Sequence, residues 1–331
     1  MIAFFWFCAW SIPLKLKSES ESESKSSLPS LSRRNFSLAA ASAALTACAT
    51  GSSTGGRWMH WGAAPQSRPR VRVGLALGGG AAHGFAHIGV IKALEAHNVQ
   101  VDLLSGTSAG SVVAAMYASG MNGLTLNRLA LQMDEASISD WALPFRVRGI
   151  LHGAALQNYV NAVLHNRPIE RMRKPLGIVA TDLHSGAPIL FQRGNTGMAV
   201  RASCSVPTIF EPVRINGREY VDGGLVSPVP ASFARRMGAS FVIAVDISAR
   251  PELAPVSSTL DVLMQTFNIM GQSIKNRELA EFANVVIRPN IFEMSSSDFS
   301  QRNAAILAGE EAVARILPEL QRRLNAHRAM G

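Results

Sequence analysis

Short apolar runs alternate with longer segments of helical hydrophobic spacing from residue 71 onwards. Residues 71–77 are rich in valine and leucine and end at three glycines, which predicts a strand. Residues 83–97 repeat apolar side chains at near-helical spacing, which predicts a helix. Because the same alternation continues to about residue 290, the pattern favours an α/β domain with a mostly parallel sheet.

The rest of the chain supplies further elements of both kinds. Strands are predicted at 101–105, 176–183, 240–247 and 285–288, and helices at 108–119, 196–203 and 232–237. Residues 302–327 have helical spacing, and Pro318 predicts a break within that helix. We therefore expect one folded domain over residues 71–290, with residues 291–331 as its C-terminal helical extension.

The first 48 residues have the order of an export signal. A Ser-Arg-Arg-Asn-Phe stretch at 32–36 precedes an apolar run at 38–47 that ends in small residues. The paired arginines are typical of twin-arginine signals. The Leu-Thr-Ala-Cys stretch at 45–48 resembles a bacterial lipobox, which predicts that Cys48 is lipidated. An ordinary cleaved signal with a chance cysteine is the alternative.

The segment after Cys48 and the charge of the chain bear on location and partners. Residues 49–70 are rich in Gly, Ser, Thr and Pro, which predicts a flexible tether. The net charge of +9 favours anionic surfaces such as membranes. Basic residues never occur in runs longer than two, so no nucleic-acid partner is expected. The prediction is an exported bacterial cell-envelope protein held at a membrane through Cys48.

A serine lies between two glycines where a predicted strand meets a predicted helix. Gly106, Ser108 and Gly110 fit the pattern Gly-x-Ser-x-Gly, which forms a nucleophile elbow in this context. The flanking glycines keep the strand and the helix from clashing. The N-terminus of the following helix adds positive potential where an oxyanion would form. An ordinary loop is the alternative.

A second glycine-rich turn, residues 78–84, precedes Ser108 by about 25 residues. Its glycines do not fit the dinucleotide-binding spacing, because His83 or Ala81 stands where a glycine is required. The lysine of a phosphate-binding P-loop is also missing. Small residues let backbone N–H groups approach a substrate carbonyl closely, so this turn is interpreted as an oxyanion loop.

The base that would activate Ser108 is not an obvious histidine. An α/β-hydrolase triad has the order Ser, acid, His, and the one histidine after Asp222 is His327, in an arginine-rich tail. Asp222 stands directly before Gly223 and Gly224. A partly desolvated aspartate has a raised pKa and accepts a serine proton when it lies within reach. We predict a Ser108–Asp222 pair, and a plain Asp-Gly turn is the alternative.

No cofactor or metal ion is expected. The three cysteines, Cys8, Cys48 and Cys204, have no paired spacing that would indicate a disulfide framework or a zinc site. His83 and His87 are four residues apart on a predicted helix, as some metal ligands are. The glutamate of the metalloprotease motif and a third ligand are both missing, so buried helical histidines are the better interpretation.

Taken together, these motifs resemble the patatin-like phospholipase family. The matching stretches are residues 77–90, 105–110, 201–207 and 220–224, in the family's order. The resemblance covers about residues 71–290 and implies a three-layer α/β/α fold with a Ser–Asp dyad. By position, it also implies that the backbone N–H groups of Gly79, Gly80 and Ala81 form the oxyanion hole. The implied substrates are phospholipids, lysophospholipids or other lipid esters.

Two positions depart from the family's pattern. The family usually has Arg or Lys where this chain has His83, and often glycine where it has Ala81. A helix N-terminus disfavours a charged histidine, so we expect His83 to be mostly neutral at neutral pH. The loss of a permanent charge leaves a second hypothesis open, in which the protein is a catalytically weak envelope protein that binds lipid or a partner protein.

Overall fold

The computed structural model describes residues 70–133, 149–249, 259–291 and 298–330, together with Glu252, Ser257 and Met294. The predicted export signal, with Cys48 and Cys8, lies outside the described residues, as does the predicted tether except for Arg70. The described residues all fall within one unit of the chain, residues 64–331.

Eight strands form the central sheet, in the order β10-β9-β1-β2-β4-β8-β7 with β5 beside β4. The strands of the described chain are β1 Val73–Leu77, β2 Leu103–Thr107, β3 Gly149–Leu151, β4 Leu176–Asp182, β5 Pro188–Phe191, β6 Thr208–Phe210, β7 Val213–Ile215, β8 Arg218–Asp222, β9 Phe241–Val245 and β10 Val285–Ile287. The five strands from β10 to β4 are parallel, and β5, β7 and β8 are antiparallel to their neighbours. The predicted mostly parallel sheet is therefore confirmed. Strands β3 and β6 form a separate parallel pair.

Helices cover both faces of this sheet. They are α1 Phe85–Ala96, α2 Ala109–Ala118, α3 Gly123–Gln132, α4 Ala154–Val163, α5 Thr196–Ser203, α6 Ala231–Arg236, α7 Thr259–Phe282 and α8 Arg302–Met330. A short 3-10 turn, Ala81–Gly84, leads into α1. The order of layers is helix, sheet, helix, as predicted for a three-layer α/β/α domain.

The two faces of β1 show why helices pack on both sides. Val73, Leu75 and Leu77 point into the larger core, which includes side chains of α1, α2 and α8. Ala76 points to the opposite face, where α6 and α7 contribute a smaller, alanine-rich core. Successive side chains of a strand alternate between faces, so a strand that is apolar throughout is buried on both sides.

Helix α8 lies directly against α1 at two glycines. A Cβ on Gly89 of α1 would overlap the carbonyl oxygen of Ile306, and a Cβ on Gly309 of α8 would overlap that of Ala86. The two helix backbones therefore touch, which needs residues without side chains at these two positions. The contact fixes α1, whose N-terminus carries the glycine loop.

Helix α8 is continuous through Pro318, so the predicted break is wrong. Pro318 is exposed, as is Ala314, the residue whose carbonyl oxygen loses its helical partner there. That carbonyl can bond to water. Leu320 and Leu324 are buried beyond the proline, and their burial stabilises the second part of the helix.

Within the described residues, no helix is long and apolar enough to cross a membrane.

Candidate active site

Ser108 lies on a strained turn between β2 and α2. Its backbone has φ 52° and ψ −128°, a conformation that residues with side chains rarely adopt. A Cβ on Gly106 would come within 2.7 Å of the Gly110 carbonyl oxygen, and one on Gly110 would overlap the carbonyl oxygen of Leu77. Both glycines are therefore required by close backbone approach, as expected for a nucleophile elbow.

Side chains from other segments hold this turn in place. The Ser108 N–H donates to the Ser203 hydroxyl oxygen at 2.9 Å, and that hydroxyl donates to the Val179 carbonyl oxygen at 2.6 Å. The Thr107 hydroxyl donates to the Ser227 carbonyl oxygen at 2.8 Å. Sequence reasoning gave Ser203 no role, although it lies in the matched stretch at 201–207. The fixed amide of Ser108 helps to sustain a backbone conformation that is otherwise unfavourable.

The glycine loop lies beside the elbow because β1 and β2 are neighbouring parallel strands, paired with Leu77 opposite Gly106. A Cβ on Gly79 would be 3.1 Å from the Ser108 Cβ. The Gly79 N–H donates to the Pro228 carbonyl oxygen at 3.0 Å. The N–H groups of Gly80 and Ala81 have no acceptor among the described residues. Of the three predicted donors, Gly80 and Ala81 thus present free N–H groups, whereas Gly79 is engaged in holding the loop.

Ala81 adopts a left-handed backbone conformation with φ 49°. The side chain is exposed, so nothing clashes with it, but the conformation itself costs free energy for any residue with a Cβ. This is the position at which the family often has glycine. The departure at Ala81 therefore keeps the backbone donor and introduces local strain.

His87 is hydrogen-bonded to the start of the glycine loop. Its Nε2–H donates to the Gly78 carbonyl oxygen at 2.8 Å, and the ring is fully buried. Burial lowers the pKa of His87 to about 4, and the hydrogen bond to Gly78 only partly opposes that effect. His87 is therefore a neutral, structural histidine at neutral pH.

His83 connects the loop to two distant segments. Its Nδ1 is 3.2 Å from the Ile247 carbonyl oxygen, and its Nε2 is 3.0 Å from the Met294 carbonyl oxygen. Carbonyl oxygens only accept hydrogen bonds, and a neutral imidazole donates from one nitrogen only. A neutral ring therefore satisfies only one of these two carbonyl oxygens, and the expectation of a neutral His83 stays a prediction.

Asp222 ends β8 and reaches the same edge of the sheet. It is opposite Ala180 of β4, and its side chain is buried. Its Oδ1 accepts from the Gly224 N–H at 2.6 Å, whereas its buried Oδ2 has no hydrogen-bond partner among the described residues. Burial raises the pKa of Asp222 to about 6, against the opposing effects of the Gly224 N–H and the Ser108 hydroxyl. A carboxylate with one free oxygen, close to Ser108, is equipped to accept a proton.

Cys204 lies next to this pair but is not poised to react. Burial raises the pKa of its thiol, and the negative charge of Asp222 raises it further. The hydroxyls of Ser111 and Ser108 oppose this shift. Because the thiolate is the reactive form of cysteine, a raised pKa leaves Cys204 inert at neutral pH. Ser108 remains the nucleophile candidate of this site.

His327 is far from the serine, as the topology shows. Its ring packs against Phe241, the first residue of β9, with ring centroids 5.6 Å apart. Ser108 follows the last residue of β2, which is parallel to β9. His327 and Ser108 therefore lie near opposite ends of the parallel strands. A triad through His327 is therefore excluded. The described residues contain no group of three or more metal-ligating side chains, and His83 and His87 bond to carbonyl oxygens instead.

The three segments of the site meet where the parallel strands end, which is where ligands bind in open α/β folds. The crystal structure of VipD from Legionella pneumophila has the same fold, with a TM-score of 0.54, 14% sequence identity, and coverage of 76% of this chain and 67% of that chain. The fold is thus a three-layer patatin-like domain. Residues 75–235 match the family model described as patatin-like phospholipase.

Curated relatives share this part of the chain. An NTE family protein of Mycobacterium tuberculosis is 35% identical over 185 residues, which is 54% of this chain and 49% of that protein. Patatin-like phospholipase domain-containing protein 6 of Homo sapiens is 32% identical over 222 residues, which is 63% of this chain and 16% of that protein. The chain therefore spans about half of the mycobacterial relative and a small part of the human one.

Proposed function

We propose that this protein is a serine acyl-ester hydrolase of lipid substrates, of the phospholipase A, lysophospholipase or esterase type. One observation carries the proposal: Ser108 stands on a strained elbow beside a buried Asp222 whose Oδ2 is free of other partners. The match of residues 75–235 to patatin-like phospholipases supports it. The names of the relatives point to the same substrate class.

In the acylation step, the Ser108 Oγ attacks the ester carbonyl carbon while Asp222 Oδ2 accepts the serine proton. The carbonyl oxygen becomes an oxyanion, which the N–H groups of Gly80 and Ala81 stabilise by hydrogen bonds. Collapse of the tetrahedral intermediate breaks the ester bond, and the proton on Asp222 leaves with the alcohol. The positive end of α2, directly behind Ser108, stabilises the same negative charge.

Deacylation repeats these steps with water as the nucleophile. Asp222 accepts a proton from the attacking water, the loop amides again hold the oxyanion, and the fatty acid leaves. The proton then returns from Asp222 to Ser108. The same two residues serve both half-reactions, so the site needs no histidine.

The proposal extends to location and partners. The lipobox-like stretch at 45–48 supports an exported cell-envelope protein anchored to a membrane by lipid on Cys48. A lipid anchor would keep the domain at the surface in which phospholipid or other lipid-ester substrates are found. Intact-mass analysis of protein purified from membranes should show acyl mass on Cys48, and Cys48→Ser should release the protein or leave it unprocessed. An unmodified residue 48 would contradict the anchor.

Labelling with a fluorophosphonate probe tests the catalytic proposal, because only an activated serine reacts. The parent protein should be labelled, and Ser108→Ala should lose both labelling and hydrolysis of short-chain p-nitrophenyl esters. Asp222→Asn should be about as damaging, on the order of a thousand-fold in kcat, because the two residues act as a unit. His327→Ala is the matched control and should keep activity. Full activity of Ser108→Ala would end the proposal.

His83, in place of the family's basic residue, favours a second candidate function. In that alternative the protein binds a lipid or a partner protein through the same site and turns over slowly or not at all. An unlabelled parent protein that still binds lipid ester would support this alternative over the hydrolase.

A further inference from the structure

The first part of α7 exposes an apolar face. No residue from 261 to 274 is buried, although seven of these fourteen residues are Val, Leu, Met, Phe or Ile. Val262, Ile269 and Met270 are 53%, 54% and 59% exposed. They share one side of the helix with Thr266, whose hydroxyl donates to the Val262 carbonyl oxygen at 2.9 Å. We call these four residues the α7 apolar face.

The second part of α7, in contrast to the first, is buried and bonded to the rest of the domain. Lys275 forms an ion pair with Asp246 at 3.1 Å, and both side chains are nearly buried. Glu278 accepts a hydrogen bond from the Ser227 hydroxyl at 2.8 Å, and Leu279 is in the smaller core. One helix therefore combines a fixed C-terminal part with an N-terminal part on which Val262, Ile269 and Met270 are exposed.

The charge pattern of α7 fits a lipid surface. From Val262 to Ile274 the helix contains no ionisable side chain. Arg277 follows on the exposed side, one turn beyond Ser273. A helix that lies in a membrane interface places apolar side chains among the acyl chains and basic ones at the level of the head groups.

Helix α7, which bears this apolar face, packs against the catalytic segment. Met270 precedes Gly271, and a Cβ on Gly271 would be 3.5 Å from the Pro228 Cγ and 3.9 Å from the Gly224 carbonyl oxygen. Gly224 donates to Asp222, and Pro228 accepts from the glycine loop. A lipid surface that contacts the exposed side of α7 would thus be separated from this segment by about one helix diameter.

We propose that the α7 apolar face docks the domain on a lipid bilayer, so that a lipid ester passes from the bilayer to Ser108. The inference rests on the proposed function, since it concerns how that site meets its substrate. A second copy of the chain is the other conceivable occupant. The face is of the order of a few hundred Å², well below the roughly 800 Å² per partner of a stable protein–protein interface. Its size therefore favours a bilayer.

Vesicle binding tests the proposal. The full chain carries Cys48→Ser in every sample, so that no lipid anchor contributes, and the vesicles contain phosphatidylethanolamine and phosphatidylglycerol. The double variant Ile269→Ser, Met270→Ser should lower the ratio of bound to free protein about ten-fold, because it removes two large apolar side chains from the contact. It should also lower the ratio of vesicle-lipid hydrolysis to soluble-ester hydrolysis.

The matched control is the double variant Leu124→Ser, Leu307→Ser. These leucines are 66% and 54% exposed, but they line a groove formed by α1, α3 and α8, on the opposite face of the sheet. This control should bind vesicles as the parent does. Thermal melting of all variants checks that they are folded.

Three results would overturn the docking proposal: absence of vesicle binding by the parent, equal binding by the α7 variant and the parent, or concentration-dependent dimerisation of the parent that the α7 variant abolishes. Ser108→Ala in the same background should still bind vesicles. If the parent binds vesicles but hydrolyses no ester, the proposed function fails while the docking proposal stands.

Discussion

The glycine loop after β1 and the elbow after β2 are neighbouring strand-to-helix turns that are held in different ways. Each contains one non-glycine residue with positive φ, Ala81 at 49° and Ser108 at 52°. In the elbow, Gly106 and Gly110 are enclosed by backbone atoms of the adjacent strand and helix. These close backbone contacts hold the elbow together with its hydrogen bonds to Ser203 and Ser227.

The glycine loop depends mainly on hydrogen bonds to distant parts of the chain. Gly79 donates to Pro228, and His83 contacts the carbonyl oxygens of Ile247 and Met294. The glycine loop also carries the free backbone N–H groups of Gly80 and Ala81. Both turns thus have distant partners, but the elbow is held chiefly by close backbone packing at its two glycines and the glycine loop chiefly by hydrogen bonds.

The largest expected effect comes from breaking the elbow. Gly110→Ala places a methyl group on the Leu77 carbonyl oxygen, so we expect a loss of about 3 kcal/mol or more in the free energy of unfolding. Gly79→Ala is the matched change in the loop, where the Cβ would meet Ser108 at 3.1 Å and φ is not positive. It should cost about 1 kcal/mol or less. Urea unfolding of both variants measures the difference, and equal losses would contradict the contrast.

The next largest effect is the change of activity and stability with pH as Asp222 ionises. Since the carboxylate must be ionised to act as a base, kcat/KM for a soluble ester should fall about ten-fold per pH unit below about pH 6. The folded pKa lies above the unfolded value of 3.8, so the folded protein binds this proton more tightly, and the stability contribution of Asp222 falls as pH rises from about 4 to about 6.

Asp222→Asn removes the charge and should therefore stabilise the protein where the parent's carboxylate is ionised. At about pH 8 the gain should be on the order of 3 kcal/mol, and at about pH 4 it should be well below 1 kcal/mol. Urea unfolding at both pH values measures it. If Asp222→Asn is inactive but no more stable than the parent at about pH 8, burial does not raise the pKa of Asp222 as described.

A smaller effect is expected at His83. The neutral ring can satisfy only one of its two carbonyl partners, whereas arginine keeps its charge and its donors at every relevant pH. Arginine can donate to both carbonyl oxygens, so kcat/KM of His83→Arg for a soluble ester should be a few-fold higher than that of the parent. Equal kcat/KM for the two proteins would show that the second carbonyl contact at residue 83 has no role in activity.

The smallest effect should come from Ala81→Gly. Glycine removes the strain of the left-handed conformation but gains freedom in the unfolded chain, so we expect a stabilisation of up to about 1 kcal/mol. Ala82→Gly is the control, since Ala82 is buried in the same turn and its φ is not positive. That change should destabilise the protein. Loss of stability in Ala81→Gly would mean that the loop is not strained at Ala81.

Sequence reasoning succeeded where local residues determine the structure. The elbow follows from two glycines around a serine, and the predicted helix at 196–203 has the observed bounds because Asn195 caps it through a hydrogen bond to the Met198 N–H. The order of strands and helices was also predictable. Asp222 was predicted from its glycine context, but β8, the strand that carries it, was not.

Sequence reasoning failed where distant contacts decide. Strands β5, β7 and β8 are short and antiparallel, and three to five residues give too little alternation to recognise. Helix α7 was missed, although Leu263, Phe267 and Ile274 in its first part have helical spacing. The partners of His83 come from residues 247 and 294, and no pattern near residue 83 indicates them.

The contact of Gly89 with α8 has a consequence for working with fragments of this protein. The family match ends at residue 235, but β9, which pairs with β1 along its whole length, and α8, which lies against α1, come later in the chain. A fragment of residues 75–235 would leave the edge of β1 unpaired and the small-residue surface of α1 uncovered. Unpaired, apolar strand edges promote aggregation, so such a fragment should be recovered as inclusion bodies.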